Sequence, residues 1–237
     1  MKAMILSDLL TVKKYMKQQA LLYTVIVIAL SIFMGNIYMI VPFLGVMMPF
    51  SLAFTLLAYD ERNNWEQFRL VLPLSRRNVI AGRYASLAIV LLFSIVLGLA
   101  ACLIVVAASS FMPNIPELFG LSASLSAQEI ILSAIAPVGM ICVMLSITLP
   151  LIARFGMTKA VRYVPVFFLV VILLGVGSGE VFKLDFGSFM PFLNTVGSMM
   201  ETVAGTFAIA GIIIAISAVI YLASCMLSVK LYAKREF

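Results

Sequence analysis

The longest uncharged stretch of the sequence constrains the fold most. Ala20 to Ala58, 39 residues, contains no charged side chain. One transmembrane helix needs about 20 residues to cross the hydrocarbon of a bilayer. The stretch therefore predicts two spans, 20–35 and 38–58, with a tight turn at Gly35-Asn36. Hydrophobic residues make up 64% of the 237-residue chain and charged residues 11%. This composition is typical of a polytopic membrane protein and too apolar for a soluble domain.

The remaining apolar runs complete the prediction of an all-α polytopic membrane protein with one domain and six spans. The other four predicted spans are 82–108, 130–152, 163–177 and 203–229. No cleavage site follows the first apolar run, so we expect a retained span and no signal peptide.

Two segments outside the spans are also apolar. Met1 to Lys17 is mildly amphipathic, and we expect a helix in the membrane interface with its lysines toward anionic headgroups. An ordinary positive flank of the first span is an equal alternative. Gly177 to Thr202 is broken by glycines and Pro191, and we expect it to re-enter the outer leaflet as short half-helices. A surface amphipathic loop is the alternative.

The basic residues indicate the orientation. Four lie before span one, five between the end of span two and the second residue of span three, three after span four and three after span six, together 15 of the 16. With six spans all four groups lie on one side, and only Lys183 lies on the other. The positive-inside rule then places both termini in the cytoplasm. The net charge of +6 thus follows membrane topology and does not indicate nucleic-acid binding.

Several kinds of chemistry are absent from the sequence. The chain has no histidine, which excludes Ser-His and Cys-His nucleophile pairs and HExxH zinc sites. Its three cysteines have no metal-ligand spacing, so we expect no metal site. A GxxxxGK[ST] phosphate loop is also missing, so ATP is not bound in that way. No ionisable residue lies deep within a predicted span, which disfavours an ion-coupled carrier.

The charged stretch from Tyr59 to Tyr84 contains the only tryptophan. Trp65, Phe68 and Leu72 share one face of a predicted short helix, and Pro73 ends it. Asn63 and Asn64 are candidate caps for this helix, and Ser75 is a candidate cap for the next one. An interfacial linker anchored by Trp65 would explain this pattern, and so would a helix that docks on a soluble partner.

The order of residues in this stretch adds a resemblance to a known family. Asp60-Glu61, Trp65, then Leu72-Pro73-Leu74-Ser75-Arg76-Arg77 and Gly82-Arg83-Tyr84 follow one another. The pattern resembles the permease subunits of type-2 ABC exporters, a compact six-span bacterial family that includes exporters of bacteriocins and phenol-soluble modulins. The resemblance implies that residues 60–75, called here the coupling segment, lie against an ATPase subunit.

The resemblance also implies partners and a site. The ATPase-binding residues would be Asp60, Glu61, Arg62, Trp65, Glu66, Phe68, Arg69 and Arg76. Two ATPase chains would carry ATP and Mg²⁺, and this chain would hold no cofactor. A second permease copy, identical or homologous, would complete the unit in the bacterial plasma membrane. The polar residues along the wall between the copies, and hence the substrate pathway, would be Thr24, Ser31, Asn36, Ser51 and Thr55.

The expected activity is export of an amphipathic or hydrophobic substrate, such as a toxin or antimicrobial peptide, by a permease that is not itself an enzyme. A membrane-embedded subunit or facilitator that captures a small molecule without ATP coupling is the alternative. Such a subunit would need a polar pocket open to the outside, whereas the predicted outer loops are mostly apolar or acidic.

Overall fold

The computed structural model describes residues 2–63, 65, 75–109, 127–156, 159, 190–200 and 202–233. These residues form helices and turns, with no strand among them, so the all-α prediction is confirmed. The helices are α1 (Lys2–Met34), α2 (Ile40–Arg62), α3 (Arg76–Ser109), α4 (Ala127–Phe155), α5 (Met190–Met200) and α6 (Val203–Ala233). A short 3₁₀ helix, Ile37–Met39, joins α1 to α2.

Five stretches of the described chain are long and apolar enough to cross a membrane. They are Lys2–Met34, Ile37–Arg62, Arg76–Ala108, Gln128–Phe155 and Val203–Ala233, and each overlaps one predicted span. The sixth predicted span, 163–177, lies outside the described residues. Of the expected re-entrant stretch 177–202, only α5 and Thr202 are described. The count of six spans and the re-entrant form therefore stay predictions.

The first helix is continuous through both the expected interfacial segment, 1–17, and the first predicted span, 20–35. Its 33 residues extend for about 50 Å at 1.5 Å per residue. Gln18 and Gln19 join the two parts, and neither glycine nor proline interrupts the helix there. The interfacial position of residues 1–17 stays a prediction, since no membrane is present in the structure.

A backbone motif at Gly35 ends α1 and makes the turn that the sequence predicts. Gly35 has a positive φ of 61°, a conformation that glycine adopts without a Cβ clash. Its N–H donates to the Ile32 carbonyl at 3.2 Å, and the Asn36 N–H donates to the Ser31 carbonyl at 3.1 Å. This is the Schellman pattern of helix C-termini. The Asn36 side chain then accepts from the Tyr38 N–H at 2.9 Å and starts the short 3₁₀ helix.

The second helix is the centre of the described bundle. It packs against α1, α3 and α4, and the side chains of Leu44, Met48 and Leu52 are almost completely buried. The most extensive contact between two helices joins α4 to α6, and α3 also packs against α1 and α6. Large apolar side chains on α1, α3 and α6, such as Phe33, Leu103 and Val219, are exposed. An outward apolar surface of this kind suits contact with lipid, where helix association depends on close packing and not on the hydrophobic effect.

Glycines permit the closest approaches between these helices. A Cβ atom added at Gly45 of α2 would lie 2.7 Å from Cβ of Pro137 in α4. A Cβ added at Gly98 of α3 would lie 3.1 Å from Cα of Val41 in α2. The first separation is too short for any real pair of carbon atoms, so the α2–α4 contact requires glycine at position 45.

Gly45→Val should therefore push α2 away from α4. Overpacking of a closely packed contact costs about 1–3 kcal/mol, and we expect a lower melting temperature of the detergent-solubilised protein. Gly211→Val is the matched control, because an added Cβ at Gly211 of α6 meets none of the described residues. Equal melting temperatures for the two variants would contradict the α2–α4 contact.

A candidate docking end of the helix bundle

Five helix termini meet at one end of the described bundle, called here the basal end. Arg83 near the start of α3 contacts Asp60 at the end of α2 and Asp8 near the start of α1. Arg76 donates from Nη1 to the carbonyl of Ala233 at the end of α6, at 2.9 Å. The end of α4 joins them, since its last turns line a small cavity together with residues of α3 and α6.

The basal end carries most of the described basic residues. They are Lys2, Arg62, Arg76, Arg77, Arg83, Arg154 and Lys230 at or near helix ends there, with Lys13, Lys14 and Lys17 further along α1. Since α4 and α6 both end at this end, they run parallel. The six-span prediction places one crossing, 163–177, between them. Two helices separated by an odd number of crossings must run parallel, as α4 and α6 do.

A buried ion cluster holds three of these helix termini together. Arg83 donates from Nη2 to Oδ2 of Asp60, and its Nε lies 4.0 Å from Oδ2 of Asp8. The three residues are only 6%, 4% and 1% exposed, respectively. Ser86 donates to the same Asp8 oxygen at 3.2 Å. Two carboxylates thus lie beside one buried guanidinium. Removing one partner of such a buried pair leaves an uncompensated charge.

The first turns of α1 pack on α3 through matching four-residue rows. Met4, Asp8 and Val12 are buried on one face of α1. Met4 lies over Gly82 of α3, where an added Cβ would be 2.8 Å from Cγ of Met4. Asp8 meets Ser86, and Val12 packs in one apolar cluster with Val90. These early residues of α1 are therefore part of the bundle.

Two polar contacts continue this seam between α1 and α2. The hydroxyl groups of Tyr15 and Tyr59 hydrogen-bond to each other, and their ring centroids are 5.4 Å apart. Further along, Nε2 of Gln19 donates to Oγ of Ser51 at 2.9 Å. Tyr59 directly precedes Asp60, so consecutive residues at the end of α2 connect to α1 and α3, respectively.

A second buried polar group lies next to the ion cluster and joins α3 to α6. The Tyr84 hydroxyl lies 2.8 Å from Oγ of Ser224 and 2.7 Å from Oγ of Ser228. Tyr221 donates to the Tyr84 carbonyl at 2.8 Å, and Ser224 donates to the carbonyl of Ser146 in α4 at 2.8 Å. Adjacent residues of α3, Arg83 and Tyr84, thus bind opposite sides of the bundle.

Tyr84→Phe should weaken this junction while keeping the ring. The change removes a hydroxyl shared by two serines, and the loss of buried hydrogen bonds costs about 1–3 kcal/mol when partners remain unsatisfied. Thermal unfolding of the purified protein should show a lower melting temperature. Tyr23→Phe is the control, because the Tyr23 hydroxyl bonds to none of the described residues. A Tyr84→Phe melting temperature equal to that of wild type would contradict the proposed junction.

The residues expected to contact an ATPase differ in their placement. Asp60 is buried in the ion cluster, whereas Glu61, Arg62 and Arg76 are exposed and Trp65 is half-buried. Glu66, Phe68 and Arg69 lie outside the described residues, as does Asn64. Asn63 ends α2 by donating its N–H to the Tyr59 carbonyl at 3.1 Å. Ser75 caps α3, as predicted, because its Oγ accepts from the Asn78 N–H at 3.2 Å.

The five expected pathway residues have mainly local hydrogen bonds. Ser31 is fully buried and donates to the Val27 carbonyl, and Thr55 donates to the Ser51 carbonyl, each at 2.8 Å. Asn36 caps the turn after α1, Ser51 accepts from Gln19, and Thr24 is half-buried. The described structure does not gather them around one cavity, and their role in transport stays a prediction.

Sequence reasoning did not identify the residues that build the basal end. Asp8 was the one available signal, since it is the only acidic residue before the coupling segment and lies between Met4 and Val12 at four-residue spacing. Arg83, Tyr84 and the serines of α6 offered no signal of partners so distant in sequence. Among the described residues no group of three His, Cys, Asp or Glu side chains could hold a metal ion.

Comparison with known proteins supplies the family. The family model described as ABC-2 family transporter protein matches residues 3–233, nearly the whole chain. No curated protein and no solved structure shows significant similarity. The match extends over all the described helices apart from Lys2, and it confirms the resemblance to type-2 ABC permeases drawn from residues 60–84. This multi-pass membrane chain belongs to the ABC-2 family of transporter proteins, as a type-2 ABC permease.

Proposed function

We propose that this chain is the permease subunit of an ATP-driven exporter and that the coupling segment, 60–75, docks on a separate ATPase chain. The observation that carries the proposal is the ion cluster at the base of that segment. Asp60 at its beginning is bonded to Arg83, just beyond its end, and both are buried. The two ends of the segment are thus held together by the bundle, so a force on it reaches several helices at once.

The length of the helices supports a docking surface at the basal end. The four longest helices have 29 to 34 residues, whereas about 20 residues cross the hydrocarbon. The excess corresponds to about 13–20 Å of helix at 1.5 Å per residue. The described basic residues concentrate at the basal end, and the positive-inside rule places such an end in the cytoplasm, where an ATPase is available. We therefore assign both termini to the cytoplasmic side of the plasma membrane.

The chain's own residues offer no nucleotide site of the phosphate-loop type, so ATP and Mg²⁺ belong to the partner in this proposal. The working unit has two ATPase chains and two permease chains, identical or homologous. The substrate is amphipathic or hydrophobic, for example a peptide, and it crosses along the wall that contains Thr24, Ser31, Asn36, Ser51 and Thr55. What supports an apolar cargo is the near absence of charge within the spans.

Co-expression with a candidate ATP-binding-cassette ATPase, followed by native mass spectrometry, tests the proposal. The expected mass corresponds to two ATPase and two permease chains. A permease recovered without ATPase, and with a tightly retained small molecule, would overturn it in favour of a binding subunit. One permease copy on an ATPase pair would contradict the stoichiometry.

A further inference from the structure

The early part of α1 holds both ends of the coupling segment. At the end of α2, Tyr59 hydrogen-bonds to Tyr15 of α1. At the start of α3, Arg83 faces Asp8 of α1 at 4.0 Å, and Ser86 donates to the same carboxylate at 3.2 Å. Any displacement of the segment that moves the ends of α2 and α3 therefore also moves α1, although α1 lies more than 40 residues away in sequence.

The chemistry of Asp8 gives α1 a directional contact with α3. Asp8 is a carboxylate that is only 1% exposed, and burying a charge costs free energy unless hydrogen bonds and ion pairs compensate. Ser86 and Arg83 of α3 supply part of this compensation, and their contacts fix the rotation and height of α1 against that helix. A hydrophobic side chain at position 8 would continue the Met4–Val12 row but would not fix this register.

The continuity of α1 determines how far along the bundle a displacement of its first turns is transmitted. The helix is unbroken from Lys2 to Met34 and about 50 Å long, and it ends in the Schellman turn at Gly35. A continuous hydrogen-bonded helix moves as a stiff rod, since sharp kinks need proline, glycine or a bulge. Displacement at Asp8 therefore reaches the opposite end of the bundle at Phe33.

We propose that α1 is the element that carries movement of the coupling segment from the ATPase to the outer end of the permease, with Asp8 and Arg83 as the residues that position it. This inference rests on the proposed function, since it requires an ATPase on the coupling segment. It assigns a transmitting role to a helix whose first turns the sequence predicted only to lie at the membrane surface.

Asp8→Asn is the variant that isolates this role. The substitution keeps the size and the hydrogen-bonding capacity of the side chain, and it leaves the neutral Arg83–Asp60 pair in place. Ser94→Ala is the matched control. Ser94 is a buried residue of α3, and among the described residues its hydroxyl bonds to the Leu91 carbonyl of its own helix and to no other helix. Tyr15→Phe is a second variant on the same path, and it removes only the hydroxyl that reaches Tyr59.

The readout is an ATP-dependent distance at the outer end. Spin labels are attached through Phe33→Cys and Val203→Cys, which are 88% and 59% exposed in wild type, after replacement of Cys102, Cys142 and Cys225 by alanine. The complex with the ATPase is measured in nanodiscs by double electron–electron resonance, without nucleotide and with ATP, Mg²⁺ and vanadate. Retained ATPase is quantified on the same samples.

The wild type and Ser94→Ala should retain the ATPase and show a nucleotide-dependent distance peak. Asp8→Asn should retain the ATPase, but the population of that distance peak should fall at least about fivefold. This factor is the lower end of the coupling that typically links two allosteric sites. Tyr15→Phe should reduce the peak as well. The inference about α1 would be overturned, and the proposed function would not, by an undiminished peak in both variants. The same holds if wild type binds the ATPase but shows no nucleotide-dependent peak. Wild-type protein that fails to retain the ATPase would overturn the proposed function instead.

Discussion

Arg83→Gln should destabilise the protein more than any other single change at the basal end. It removes the guanidinium that contacts the Asp8 and Asp60 carboxylates, which are only 1% and 4% exposed. Breaking a buried ion pair by removal of one partner costs about 3–5 kcal/mol, a large fraction of the stability of most domains. Membrane yield and melting temperature should both fall clearly.

Two comparison variants show whether charge is the cause. Arg77→Gln, an exposed arginine on the same helix, should change stability by less than about 0.5 kcal/mol, as expected for a surface position. The triple variant Asp8→Asn, Asp60→Asn, Arg83→Gln neutralises all three members of the cluster and should recover most of the lost stability. If Arg83→Gln melts at the same temperature as Arg77→Gln, the ion cluster is not what holds the basal end.

Trp65→Ala should produce the largest loss of partner binding. Aromatic residues at the centre of an interface are frequent hot spots, and their truncation typically costs about 2 kcal/mol or more, which is roughly a 30-fold loss of affinity. In the structure Trp65 is half-buried and lies three positions beyond Arg62, the last residue of α2. We therefore expect the variant to insert and fold but to lose the ATPase or to hydrolyse ATP without transport.

Arg69→Ala is the comparison for this prediction. A charge at the rim of an interface is screened by salt, so its smaller effect on ATPase retention should fade at high ionic strength. The interfacial-anchor hypothesis makes the opposite prediction, in which Trp65→Ala lowers membrane yield and leaves ATPase retention unchanged. Yield and retention measured together on both variants distinguish the two accounts.

The features that were predictable from sequence are those that depend on near neighbours in the chain. The turn at Gly35-Asn36 follows from glycine's access to positive φ, and the cap at Ser75 follows from a hydroxyl beside free amides. Five of the six predicted spans correspond to long apolar helices, because a bilayer imposes about 20 apolar residues on each crossing. All of these signals lie within one helix or one turn.

The basal end was not predictable, because its contacts join residues far apart in sequence. Arg83 is 23 positions from Asp60, and Ser86 is 78 positions from Asp8. Composition and periodicity fix neither the rotation nor the height of one helix against another. For the same reason Asp60 was expected to face a partner, whereas it lies inside the bundle. The continuity of α1 was also not evident, because a change from polar to apolar residues at Lys17–Ala20 marks a membrane boundary without breaking the helix.

Binding of the purified ATPase to this chain in nanodiscs tests the central claim most directly, with wild type and Trp65→Ala immobilised at equal density. Wild type should bind the ATPase saturably, and Trp65→Ala should bind about 30-fold more weakly or not at all. No saturable binding to wild type, or equal affinity for both proteins, would contradict a permease that docks its ATPase through the coupling segment.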